Sequence, residues 1–170
     1  METLLENDVM IDKNILQDID WDSLDFSLHP TRSMYVAKCK EGGEWKTGKL
    51  VSYGDIKISP ASGVLNYGQG VFEGIKAYRS SKDRIIFFRL DKNAIRFYRS
   101  CKRLCIPPIQ VEMFMEAIEE VVKDNMDYVP PVGKGSLYIR PVAWGTGPVL
   151  GVNPAPSYTF LIFVSPVGPY

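Results

Sequence analysis

Arg96, Tyr138, Arg140, Tyr67 and Phe72 are the side chains in this 170-residue sequence best suited to hold an anionic, partly apolar small molecule. Arg96 lies between Ile95 and Phe97 in a helical stretch. Tyr138 and Arg140 alternate along an apolar run, so both would project from one face of a strand. Tyr67 and Phe72 flank the glycines of Gly68-Gln-Gly-Val-Phe-Glu-Gly74. An arginine fork matches a carboxylate or phosphate through two parallel hydrogen bonds, which lysine cannot do. No nucleophile stands beside an evident base. Each residue also has an ordinary account. A lone helical arginine is usually at the surface, Tyr138 and Arg140 fit a half-exposed strand, and Tyr67 and Phe72 fit a core. The residues alone reach an α/β domain with a candidate anion site.

The glycine segment invites a nucleotide reading. Its spacing is G-x-G-x-x-x-G, one residue longer than the dinucleotide fingerprint, and no clear strand precedes it. The expectation is instead a short helical turn, where glycines allow close packing on neighbouring backbone.

The surrounding elements follow from periodicity and punctuation. Residues 1–31 are acidic and weakly patterned and are expected to form a loosely held N-terminal arm; residues 32–170 form one domain. Strands are expected at 33–39 and 49–53, with a third at 57–59, and a hairpin at 75–78 and 85–88. A helix is expected from about 91 to 104, with Ala94, Tyr98, Cys101 and Cys105 as its stripe, ended by Pro107-Pro108. A second spans about 111–123, with Phe114, Ile118 and Val121 inward and Glu116, Glu119 and Glu120 outward. Residues 136–144 and 158–165 are apolar enough for buried strands, the second covered on both faces. Between them, 145–156 has three glycines and three prolines and reads as a stiff loop. The fold class is α/β of the α+β type: a mainly antiparallel sheet covered by two adjacent helices.

Composition narrows the function classes. Twenty acidic residues balance twenty basic ones, so no excess charge points to nucleic acid or an anionic membrane. No apolar run reaches the roughly 18 residues of a membrane span. Three cysteines make no disulfide framework, and one histidine, His29, makes no zinc pattern. Cys101 and Cys105 are expected to be small buried apolar residues sharing a helix face. The first residues carry no basic or apolar leader pattern, so the chain as it stands reads as cytoplasmic, with plastid or mitochondrion open for a longer precursor.

Long ordered blocks of this sequence resemble the N-terminal half of branched-chain amino-acid aminotransferases, especially those of plants. They are 65–78, 88–96, 103–107, 129–131, 134–141, 145–152 and 158–168. The resemblance implies the small N-terminal α/β domain of a class IV, pyridoxal 5′-phosphate (PLP)-dependent enzyme, with the active site between two domains and across a homodimer interface. It implies that Arg96 holds the cofactor phosphate. Tyr138 and Arg140 match a Tyr-x-Arg pair facing the substrate, and Tyr67 would come from the partner subunit to help receive the side-chain carboxylate of glutamate. Phe72, Tyr170 and Phe26 match pocket aromatics. Leu150 and Val152 match apolar residues on an interdomain loop, 145–156, that crosses the dimer. Loop residue Trp144 is bulkier than the aliphatic residue expected there.

The implied Schiff-base lysine belongs to a C-terminal half that these 170 residues do not include, so the chain alone is expected to be inactive. Two other readings stay open: a non-catalytic subunit that pairs with a longer enzyme, and an aminotransferase or lyase of the same fold with another substrate.

Overall fold

The structure is a computed structural model that describes residues 19–169. Strands β1 (Ser33–Lys40) and β2 (Lys49–Ser52) come first. Helix α1 (Gly63–Tyr67) leads through Gly68 into β3 (Gly70–Phe72), and the hairpin β4 (Ile75–Arg79) and β5 (Ile85–Phe87) follows. Two 14-residue helices, α2 (Leu90–Arg103) and α3 (Val111–Asp124), precede the long strands β6 (Ser136–Gly145) and β7 (Ser157–Val167). The order across the sheet is β2-β1-β7-β6-β4-β5, with β3 also on β6, and every pairing is antiparallel.

Period-two alternation sorts the side chains between two faces. One face packs on α2 and α3. There Phe160 of β7 meets Phe97 and Phe114 at ring-centroid distances of 5.7 and 6.1 Å, and those two meet each other at 5.0 Å. Burying three aromatic side chains removes enough apolar surface to contribute several kcal/mol. On the other face Met34, Val142 and Leu161 form a smaller cluster, with Trp144 and Phe163 packed against it. β7 is thus covered on both faces, as its apolar run requires.

The α2 stripe differs from the expected one. Leu90, Ala94, Phe97 and Cys101 are its buried residues, and Tyr98 is only partly covered. Cys105 does not share the face of Cys101. It lies beyond the helix end with φ 54° and is exposed. The Ile106 N–H donates to the Cys101 carbonyl at 3.0 Å and the Cys105 N–H to that of Lys102 at 3.3 Å, the paired closure in which one left-handed residue ends a helix. The spacing of four residues misled because the helix stops at Arg103.

Two other expectations are corrected. Residues 57–59 join no strand. The glycine segment is not one helical turn: Gly68, at φ 64°, closes α1, and Gly70 opens β3. Part of the expected loose arm is tied down. The Gly168 N–H donates to the Asp25 carbonyl at 3.0 Å, and the His29 N–H to Ser165 Oγ at 2.9 Å. Residues 1–18 of that arm lie outside the described residues.

Candidate functional site

The junction of β3 and β4 organises the site. Both strands pair with β6 in a single register, Phe72 opposite Val142 and Ile75 opposite Ile139. Between them the Glu73 N–H donates to the Pro141 carbonyl at 3.0 Å. Pro141 has no N–H to return, so the ladder opens at this point. Alternation then sends Phe72 and Gly74 to one face of the sheet and Glu73 to the helix face.

On the first face, Arg140 is flanked by two aromatic rings. Its guanidinium carbon lies 4.7 Å from the centroid of Phe72 and 5.1 Å from that of Tyr138. Arg140 Nη2 donates to Tyr138 Oη at 2.8 Å. Arg140 Nε is buried with no hydrogen-bond partner. A buried donor without an acceptor costs about 1–3 kcal/mol, so an anion reaching Nε would relieve a standing penalty. Phe26 packs edge-on against Tyr138, centroids 5.1 Å apart. Four of the expected residues, Phe26, Phe72, Tyr138 and Arg140, therefore form one cluster.

Arg96 is reached from the other face. Its Nε and Nη2 donate to the two carboxylate oxygens of Glu73, each at 2.6 Å. The Arg96 side chain remains 64% exposed while that of Glu73 is 5% exposed. The hydrogen bonds to Glu73 raise the Arg96 pKa above its ordinary value, so the group stays charged. Nη1 makes no hydrogen bond among the described residues, so the fork has donors left for a phosphate. In that respect the residues present fit a phosphate ester such as PLP.

Tyr67, Leu150 and Val152 form a separate group. The Tyr67 hydroxyl donates to the Leu150 carbonyl, and the Val149 N–H donates to the Ala61 carbonyl at 2.9 Å, so the 145–156 loop is latched to α1. Leu150 and Val152 are 91% and 85% exposed. Tyr170 lies outside the described residues. Trp144 belongs to β6 rather than to the loop, and packs beside Met34, Val142 and Leu161.

Three polar residues of the site were not singled out from sequence: Glu73, Asn93 and Gln69. Asn93 Nδ2 donates to Glu73 Oε2 at 3.0 Å. Buried Gln69 donates from Nε2 to the Leu104 carbonyl at 3.0 Å and accepts at Oε1 from the Ala155 N–H at 3.1 Å. It thus joins the base of the loop to the end of α2. For Gln69 and Glu73, which flank β3, the available signal was a polar residue two positions to either side of the apolar Val71; Asn93, on α2, carried no such signal. Among the described residues no group of three His, Cys, Asp or Glu could hold a metal ion, and no helix is long and apolar enough to cross a membrane.

A chloroplastic branched-chain-amino-acid aminotransferase of Arabidopsis thaliana is 56% identical over 155 residues, 91% of this chain and 37% of that protein. Among solved structures, a Thermoproteus uzoniensis branched-chain aminotransferase with norvaline aligns at TM-score 0.62 and 33% identity, over 80% of this chain and 41% of that one. A T.th. branched-chain amino acid aminotransferase complexed with N-(5′-phosphopyridoxyl)-L-glutamate aligns at TM-score 0.63 and 35% identity, over 82% and 42%. The chain thus spans about two fifths of the length of these relatives. The family described as amino-transferase class IV matches residues 70–170, well over half of the sequence, and the chain belongs to that family.

Proposed function

We propose that this chain supplies the N-terminal, substrate-facing part of a PLP-dependent transaminase. That enzyme moves the amino group of leucine, isoleucine or valine to 2-oxoglutarate, giving the branched 2-oxo acid and glutamate. The observation that carries the reading is Arg140, held between the rings of Phe72 and Tyr138 with Nε buried and unpaired. Two relatives bear on it. One was solved with norvaline, an aliphatic amino acid, and one with a phosphopyridoxyl-glutamate.

One site must accept an aliphatic side chain and a carboxylate in turn. In this reading Phe72, Phe26 and Tyr170 provide apolar wall, contributing about 1.5–3 kcal/mol per buried aliphatic group. Arg140 and Tyr138 provide charge-assisted hydrogen bonds of about 1.5–3 kcal/mol each to the glutamate side chain, stronger once water is excluded. Arg96 binds the phosphate. When bound, PLP supplies the electron sink for amino transfer, while the chain's residues set the orientation. Tyr67, Leu150 and Val152 serve the site of a second copy: a hydroxyl and two exposed apolar side chains presented on one latched unit. Residues 1–170 by themselves give no turnover.

The test is amino transfer to 2-oxoglutarate by the full-length gene product, with leucine, methionine and D-alanine as donors. Leucine as the best donor, with glutamate formed, supports the reading; D-alanine as the best donor sinks it. Turnover by residues 1–170 in isolation would refute the claim that they are inactive alone.

A further inference from the structure

We propose that Glu73 is the positioning residue of the phosphate grip, fixing the plane and direction of the Arg96 guanidinium before a phosphate arrives. This rests on reading Arg96 as the residue that holds the cofactor phosphate.

Three observations carry it. First, Glu73 is itself fixed. Its N–H is bonded to the Pro141 carbonyl on β6 at 3.0 Å, and its side chain is 5% exposed. Second, it holds α2 at two points one turn apart. Both carboxylate oxygens accept from the Arg96 fork at 2.6 Å, and Oε2 also accepts from Asn93 Nδ2 at 3.0 Å. Two parallel bonds to a planar guanidinium define its plane, which a single bond would not. Third, the exposure is lopsided, 5% for the carboxylate against 64% for the arginine. An ordinary surface ion pair is wet at both ends and adds little. Here the anchored end is buried, and the cation is delivered toward solvent with its remaining N–H groups facing away from Glu73.

The chemistry favours orientation over attraction. Glu73 takes two of the five guanidinium N–H groups and offsets the positive charge, so it weakens the long-range pull on a phosphate. What it adds is a pre-set fork: the rotamer freedom of Arg96 is lost on folding rather than on binding. The same strand segment carries Phe72 to the opposite face, beside Arg140. The phosphate grip and the carboxylate cluster are therefore set by neighbouring residues of one backbone segment.

The experiment compares dissociation constants for PLP and for pyridoxal, which lacks the phosphate, in the full-length protein, read by absorbance of the bound cofactor. The variants are Arg96→Ala, Glu73→Gln and the double variant. Glu73→Gln is expected to weaken PLP about tenfold, one charge-assisted hydrogen bond's worth, and to leave pyridoxal unchanged. On the Arg96→Ala background it should cost nothing further. Equal weakening of PLP and pyridoxal would make Glu73 a general tether and overturn the proposal. So would wild-type PLP binding by Glu73→Gln when Arg96→Ala has lost it. If Arg96→Ala leaves the PLP-to-pyridoxal ratio unchanged, the phosphate reading of Arg96 fails and takes this inference with it. Should Glu73→Gln fail to fold, Asn93→Ala removes only the outer hydrogen bond. It should weaken PLP roughly two- to fivefold with pyridoxal untouched; no PLP-specific loss there counts against the proposal.

Discussion

A β-carbon on Gly74 would lie 2.4 Å from the hydroxyl of Tyr138. The missing side chain is what lets that hydroxyl reach Arg140 Nη2 at 2.8 Å. Gly70 does the same for Trp144, whose Cδ1 would stand 2.9 Å from a β-carbon there. The two glycines admit side chains, where the sequence had suggested that they admit backbone.

Gly74→Ala should therefore act on the site more than on the fold. The displaced tyrosine is expected to raise KM for glutamate about tenfold, the loss of one charge-assisted hydrogen bond's ordering, while KM for leucine stays within about twofold. Steady-state kinetics of the full-length protein check this. Equal changes for both substrates would show that Tyr138 does not discriminate between them.

Arg140→Lys keeps a positive charge and loses the fork. Lysine's ammonium cannot lie flat between Phe72 and Tyr138 while making two parallel bonds to a carboxylate. The expected result is a fall of roughly ten- to hundredfold in kcat/KM for 2-oxoglutarate, one to two charge-assisted bonds. Binding of an aliphatic 2-oxo acid, measured by product inhibition, should be nearly unchanged.

Asn125 is a stability centre away from the site. It is fully buried at the end of α3, accepting from the Ser33 N–H at 3.1 Å and donating to the Ser33 and Val121 carbonyls at 3.2 and 2.7 Å. Asn125→Ala takes the side-chain acceptor from the Ser33 N–H in the interior and one donor from each of the Ser33 and Val121 carbonyls, the latter keeping the backbone N–H of residue 125 at 3.1 Å. The expected loss is about 2–4 kcal/mol, seen as a lower urea midpoint with an unchanged slope. A loss under 0.5 kcal/mol would mean that water replaces the amide.

The three thiols should react at different rates. Cys105 is exposed, whereas Cys39 and Cys101 are buried. Burial pushes the Cys101 thiol up from an ordinary 9.0 to about 12 and also raises that of Cys39. Iodoacetamide at pH 8 should label Cys105 first, with the other two modified only on unfolding, as mass spectrometry of peptides would show. The sign for stability follows from a folded value above the unfolded one. Cys101 favours the folded state fully below about pH 9, and this contribution is lost as pH rises through 9–12. Cys101→Ala should flatten the stability decline in that alkaline window; an unchanged slope would assign the decline to other groups.

Much of the fold was legible because it rests on short-range periodicity. The α3 residues Phe114, Ile118 and Val121 repeat at helical spacing, and the structure buries all three. The β7 run is apolar almost throughout, and both faces are covered. The failures came at boundaries. Cys105 continued the spacing of α2 after the chain had left the helix. Residues 57–59 offered a single strand former, Ile58, between Lys57 and Ser59, and they join no strand.

The sequence by itself determined the family, through long blocks in a fixed order, and named the residues that converge on Arg140. Residue type and alternation on β6 placed Tyr138 and Arg140 on one face, because a strand's side-chain period is local. Only the tertiary structure decided which residues hold those side chains in place. Glu73 meets Arg96 across 23 positions, and Tyr67 meets the Leu150 carbonyl across 83. No periodicity encodes a contact between separate elements. Such contacts exist because β3, α2 and the 145–156 loop pack around one sheet, and a buried carboxylate or latched hydroxyl takes the partner that packing brings within reach.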